Sequence, residues 1–210
     1  MCGSLTTMPA DTSLSLRERK KLRTRTDLAA AALRLFAERG YDHVTIEDIA
    51  AEVEVSPSTF LRYFDRKEDV LFVDAARRAD ELAAAMTARP ANEPVAVALR
   101  HALLAFADTL DEDRDLMLAK SRISLEVPSL RARSLESQVQ WEAAIAQAIA
   151  GRLGSDPGEL RAGVAAAASI AAVRIATAQW ITDGAQQHLR SYLADALDVL
   201  DQGLTAALAL

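Results

Sequence analysis

The sequence predicts an all-α protein of about nine helices, a small N-terminal three-helix domain followed by a larger helical one. Three observations predict it. Half of the residues are apolar but only 5% are aromatic, and Gly (8) and Pro (6) are sparse among abundant Ala, Leu and Arg, a composition of helix formers. Apolar residues recur at spacings of three and four along most of the chain. Cap residues followed by an acid three positions later, and glycines and prolines between periodic stretches, punctuate it at helical lengths.

Residues 1–14 are polar and small, contain Pro9, and are expected to be a disordered tail. The first helix starts at Ser15, which forms a capping box with Glu18. Leu28, Ala31, Ala32, Leu35 and Phe36 form its inner face, and Gly40 stops it. The second starts at Thr45 with Asp48 three residues on, and turns Ile46, Ile49, Ala50 and Val53 inward. The third is short: Ser56 caps it, Pro57 takes the first helical position and it ends near Phe64. Asp65 is expected to cap a fourth helix reaching about Arg89, long enough to link two domains. Five more follow at roughly 94–111, 114–126, 129–152, 157–182 and 188–208. Pro128 separates the second and third of these, Gly151 and Gly154 end the third, Asp156, Pro157 and Glu159 start the fourth, and Gly184 ends it. The domains are expected at 15–66 and 67–210.

The second and third helices, joined by a tight turn, make a helix-turn-helix. That motif lays its second helix in the DNA major groove with small residues leading, so that the backbone approaches closely. Ser56, Pro57, Ser58 and Thr59 meet that need. Arg62 lies one turn further on the same face, suited to read guanine bidentately. Tyr63, Lys67 and Thr45 are placed for phosphates, and the first N–H groups of the second helix attract them too. Phe60 and Phe64 are expected to pack inward with Ile49 and Val55. A basic cluster lies upstream, at Arg17, Arg19, Lys20, Lys21, Arg23 and Arg25. Two readings of it stand: a solvated helix face, or an arm in which Arg17, Arg19, Lys20 and Arg23 follow the DNA backbone or enter the minor groove.

GYDHVTIEDIAAEVEVSPSTFLRYFDRKEDVL, preceded by AAALRLFAERG, resembles the DNA-binding signature of the tetracycline-repressor (TetR) family over about residues 23–72. The resemblance implies an all-helical homodimer, with three N-terminal helices for DNA and a variable C-terminal domain for a ligand. It puts Thr45, Ser58, Thr59, Tyr63 and Lys67 at positions that commonly contact DNA. Two residues depart from the pattern. Glu54 stands where the family has a turn glycine, at a cost of about 1–2 kcal/mol if the position is left-handed. Leu61 stands where many members carry an aromatic residue, which puts one backbone contact in doubt and offers a thymine methyl as an alternative. SLEVPSLRARSLESQVQWEAAIAQAIAGRLG resembles actinobacterial members, including regulators of mycofactocin clusters, and this suggests a fatty-acyl ligand.

The net charge of −6 does not exclude DNA, because it is unevenly spread. Residues 1–67 carry 11 basic and 10 acidic residues, +1, and residues 68–210 carry 13 and 20, −7. Phosphate binding responds to local charge.

In the C-terminal half, residues 157–182 are apolar almost all round, so the helix needs cover on both sides. Leu189, Leu193, Leu197, Leu200, Leu204 and Leu208 stripe the last helix. Two such helices from each subunit would form a four-helix homodimer interface and space the recognition helices about 34–36 Å apart, or a multiple of that. The other reading is two core helices of a monomer. Candidate ligand-binding residues are Phe106, Met117 and Trp141, which are also core candidates, and the polar His101, Arg122, Gln138, Arg174 and Gln179, embedded in apolar helices where burial demands a partner. Such a pocket suits a lipophilic or aromatic molecule.

Cys2, the single cysteine, precludes an intrachain disulfide, and no signal peptide is visible. The apolar run Val164–Ile181 is rich in Ala, contains Arg174, and reads as too weakly hydrophobic for a membrane span. His43, His101 and His188 have no paired-ligand spacing, and neither a phosphate-binding glycine loop nor a nucleophile motif is present. The expectation is a cytoplasmic, non-enzymatic regulator without metal or cofactor, whose partners are operator DNA, a small-molecule effector and a second copy of itself. The alternatives are an activator using the same helices, or a small-molecule-binding helical protein without DNA activity.

Overall fold

The computed structural model describes residues 15–112, 114–156 and 158–203, with the side chains of Leu116, Arg122, Ser124, Leu125, Glu126, Pro128, Ser129, Arg131 and Ala132 left out. The expected tail, Arg122, Pro157, Leu204 and Leu208 therefore lie outside the described residues. Among the described residues all regular structure is helical: α1 (Leu16–Arg39), α2 (Ile46–Glu52), α3 (Pro57–Leu61), α4 (Ala75–Thr87), α5 (Val95–Glu112), α6 (Arg114–Glu126), α7 (Pro128–Leu153), α8 (Leu160–Thr182) and α9 (Leu189–Gln202). Two 3-10 helices, Tyr41–His43 and Lys67–Phe72, lie between them.

The chain divides into two compact units, one ending at Val73 and one starting at Asp74. The expected boundary after residue 66 misses by one segment. The expected helix from Asp65 to Arg89 is in fact two elements, the 3-10 helix 67–72 and α4. Arg66, not Asp65, precedes the first of them, and its N–H donates to Asp69 Oδ2 at 3.1 Å. Val70 and Leu71 are buried, and their segment packs on α1.

In the first unit the caps form as their residue types dictate. Ser15 and Glu18, and Thr45 and Asp48, make reciprocal capping boxes. The backbone N–H and the hydroxyl of Thr45 both donate to the Asp48 carboxylate, at 2.9 and 2.7 Å, and hold its pKa below the ordinary value. α2 ends in a Schellman turn: Val55 N–H donates to Ala50 O at 2.9 Å and Glu54 N–H to Ala51 O at 3.1 Å. Glu54 sits at its left-handed position, with φ +55°.

In the second unit α4, α5, α7, α8 and α9 share one core, including Leu82, Met86, Leu103, Phe106, Ile145, Ile149, Ile170 and Trp180. The start of α8 differs from expectation. Asp156 caps no helix but accepts from Gly158 N–H at 2.7 Å, and Glu159 stands at the N-cap. An 18-residue stretch of Leu160–Thr182 reaches a mean hydropathy of 1.4, so by length and composition alone the helix could cross a bilayer, against the sequence expectation. What draws it into the core is packing on α7 and α9. Its small residues Ala162, Ala166, Ala172 and Ala176 are buried, whereas Val164 (59% exposed) and Ile175 (54%) face outward. The α9 stripe is also corrected: Leu189, Leu193 and Leu197 are buried in the core of their own unit, and Leu200 is partly exposed.

Arg152 of α7 holds the end of α4. Its guanidinium donates to the carbonyls of Met86 (3.4 Å), Arg89 (3.0 Å), Pro90 (2.7 Å) and Glu93 (3.0 Å), gathering the last turn of α4 and the loop after it onto one charge; Met86 and Pro90 also accept from the backbone N–H groups of Arg89 and Glu93.

Two stability changes are expected in urea unfolding. Glu54→Gly should stabilise the protein by about 0.5–1 kcal/mol, the left-handed strain relieved less the chain entropy of glycine. Arg152→Met should destabilise it by about 2–4 kcal/mol, because partly buried carbonyls lose a charged donor.

Candidate nucleic-acid interface

The five residues of α3 are too few to hold a helix alone, and its shape comes from a cap and a plug. Ser56 Oγ accepts from Thr59 N–H at 3.2 Å, and Pro57 occupies the first turn. Phe60 is fully buried and Phe64 nearly so, their ring centroids 5.3 Å apart, as expected from the sequence. The outer face is therefore Pro57, Ser58, Leu61 and Arg62, all exposed. Ser58 Oγ and Thr59 Oγ1 lie 2.8 and 3.0 Å from Ser56 Oγ, so the three hydroxyls satisfy one another when no ligand is present. The Arg62 guanidinium lies 5.3 Å from the Tyr63 ring centroid, held over an aromatic face with its donors toward solvent.

A groove of about 720 Å³ runs between α1 and α3. It is lined by Arg17, Glu18, Lys20, Lys21 and Thr24 on one side and by Val55, Thr59, Arg62 and Tyr63 on the other. Residues 17, 20, 21 and 24 share one helical face. Lys21, absent from the candidate set, belongs to it; the three- and four-residue spacing from Arg17 could have found it. Arg19 and Arg23 do not line the groove, and Arg23 pairs with Asp27 at 3.8 Å. Arg25 turns inward, its guanidinium 5.5 Å from the Phe64 ring centroid.

Two expectations change. The basic segment is helical from Leu16 onward, and an α-helix with side chains is about 10–12 Å wide. The minor groove is about 6 Å wide, so the α1 helix itself does not fit within it, and only side chains of Arg17–Arg23 could reach in. Lys67 is largely committed within its own unit. Its Nζ donates to Tyr41 O (2.8 Å) and Val44 O (3.0 Å) and sits 4.0 Å from the Tyr41 ring centroid, which leaves one N–H for a phosphate. Thr45 is likewise engaged with Asp48, so the first-turn N–H groups of Ile46 and Glu47 are what α2 offers an anion.

The ligand candidates separate. Phe106 is buried and stacks edge-on with half-buried Trp141, centroids 5.1 Å apart, and Met117 packs against the same core. Gln138 is half-buried on α7. The other described polar candidates are not embedded in a core. Arg174 is exposed, and exposed Gln179 donates to Asp183 at 3.2 Å. His101 is 47% exposed and lies 2.9 Å from Arg89 and 3.1 Å from Glu93 in a surface cluster. Apolar periodicity misled here because these residues occupy the solvent faces of helices that are apolar on the other side.

Residues 28–73 match the model of bacterial regulatory proteins of the tetR family, and residues 93–205 match the MftR C-terminal domain. The chain belongs to the TetR family. It is a transcriptional regulator and not an enzyme. It is 37% identical over 147 residues to the HTH-type transcriptional regulator TcmR of Streptomyces glaucescens, covering 67% of this chain and 65% of TcmR. The putative mycofactocin biosynthesis transcriptional regulator MftR of Mycobacterium tuberculosis is 28% identical over 187 residues, 89% of this chain and 93% of that one. The fold matches Thermus thermophilus FadR, a TetR-family transcriptional repressor solved with lauroyl-CoA, with a TM-score of 0.62 at 24% identity over 86% of this chain and 94% of that one.

The surface cluster has a pH signature. Arg89 beside Glu93, with His101, lowers the Glu93 pKa from 4.5 to about 2. A depressed carboxylate contributes stability above its unfolded pKa and loses it as pH falls toward the folded one. Glu93→Gln should therefore lower Tm at pH 7, and the difference from the parent protein should shrink between pH 4.5 and pH 2, as followed by thermal melts across that range.

Proposed function

We propose that this TetR-family regulator is a repressor that binds a pseudo-palindromic operator as a homodimer and releases it when a small lipophilic or aromatic ligand binds the second unit. The observation that carries the DNA reading is the outward face of α3, Ser58, Leu61 and Arg62, beside the basic groove face of Arg17, Lys20 and Lys21. Bases would be read by the first set and phosphates met by the second, a separation of specifying from positioning contacts. Thr59 and Tyr63 line the groove where a backbone would pass, and Lys67 would contribute its remaining N–H.

Dimerisation is supported by α8. Val164, Ala168, Ala171 and Ile175 follow one another at spacings of four, three and four, with the two large residues more than half exposed. Val199 and Leu200 of α9 are exposed as well. Small side chains along such a stripe permit close helix approach. The ligand would lie among Phe106, Met117 and Trp141, with Gln138 as a polar contact. An acyl chain suits that lining, in keeping with the lauroyl-CoA held by the Thermus repressor. Leu82 and Met86 of α4 share the core with Phe106, so a ligand that rearranged this core would move α4. Its effect on DNA affinity is bounded by its differential affinity for the two states.

Gel shifts with the upstream region of the gene test the reading, repeated across salt and with acyl-CoA or aromatic ligands. Arg62→Ala should cost about 1–3 kcal/mol on the operator and relax one base preference. Lys20→Ala should weaken all duplexes alike and reduce the salt slope by about one. Duplex binding that is absent in dilute buffer, or insensitive to both substitutions, would overturn it.

A further inference from the structure

Leu61 has no role in the fold that accounts for its position. Phe60 beside it is fully buried, whereas Leu61 is 51% exposed. It lies on the same α3 face as Pro57 and Ser58, one turn on from them, and next to Arg62. Among the exposed residues of that face it is the one large aliphatic side chain, flanked by a hydroxyl and a guanidinium. A leucine in water at the centre of a polar reading face gains only if its target offers an apolar group. The major groove presents one such group, the C5-methyl of thymine, and no other base edge carries a carbon substituent there.

We infer that Leu61 is a specificity-determining residue that packs on a thymine methyl in each half-site, next to the guanine read by Arg62. The inference rests on the DNA-binding function proposed above. Leu61 gives the face an apolar reader between two polar ones. Methyl contact then removes apolar surface of both partners from water. Because α3 is held by Phe60, Phe64 and the Ser56 cap, truncating Leu61 leaves its geometry in place.

The test selects duplexes from a random library with the parent protein and with Leu61→Ala. Each thymine of the duplex selected by the parent is then replaced singly by deoxyuridine, which removes only the methyl. One thymine per half-site should lose affinity for the parent about fourfold on replacement, the equivalent of about 0.8 kcal/mol for one buried methyl. The same replacement should leave Leu61→Ala binding unchanged, and the Leu61→Ala selection should lose its thymine preference at that position alone. If the parent selects a specific duplex yet tolerates uracil everywhere, the Leu61 assignment fails and DNA binding stands. If Leu61→Ala loses as much on uracil replacement as the parent does, another residue reads the methyl and the assignment also fails. If neither protein selects any duplex, both this inference and the function beneath it are overturned.

Discussion

Burial of Phe60 is the constraint on which the first unit turns. A helix of five residues cannot repay its own nucleation, so it persists because a neighbour holds it. Phe60 supplies that hold, with Phe64 stacked beside it and Ser56 capping the start. Once position 60 is fixed inward, helix geometry turns 58, 61 and 62 outward, and Pro57 is exposed at the first turn beside them. The outer residues are then free of any folding duty, and a partner can decide them. Shortness also matters: α3 ends at Leu61, so few side chains compete for the same approach.

Lys67 shows the same economy in reverse. It follows α3 in sequence, yet it reaches back to the carbonyls of Tyr41 and Val44, directly before the Thr45 cap of α2. Tyr41 in turn donates to Glu68 Oε2 at 3.0 Å. The entrance to α2 and the exit from α3 are thereby tied together by charge-assisted hydrogen bonds, stronger than neutral ones. The lysine that sequence reasoning assigns to phosphate is thus mostly a brace. The basic side chains that line the groove beside α3 are instead Arg17, Lys20 and Lys21 of α1, together with Arg62.

Much of the fold was legible because caps are local chemistry. Ser15 with Glu18, Thr45 with Asp48, Ser56 with Pro57, and Gly40 and Gly184 as stops all act as their residue types imply. Glu54 is the exception, a residue with a side chain in the left-handed position that the turn imposes. The misses are tertiary. A 3-10 segment at 67–72 has no sequence signature distinct from a helix start; packing on α1 produces it. Leu189, Leu193 and Leu197 form a stripe in sequence, but the pattern does not say whether the covering surface belongs to the same chain. His101, Arg174 and Gln179 look embedded in apolar helices and are exposed, since a residue's neighbours in sequence lie on other faces of its helix.

The charge distribution carries the same logic to the whole chain. Residues 68–210 hold an excess of seven negative charges, and several acids there are already paired, Asp198 and Asp201 with Arg100 and Asp108 with Arg190. Exposed pairs of this kind contribute little to stability. Screening limits the reach of an exposed charge to about 8 Å at physiological salt, so the field in the groove is governed by its own lining, Arg17, Lys20, Lys21 and Arg62 with Glu18, and the surplus acts on what approaches the second unit. It does disfavour contact between the second unit and a polyanion. On the proposed reading a duplex would be attracted by the groove face of α1 and α3 and repelled by the acidic unit, so an overall negative charge is compatible with the site.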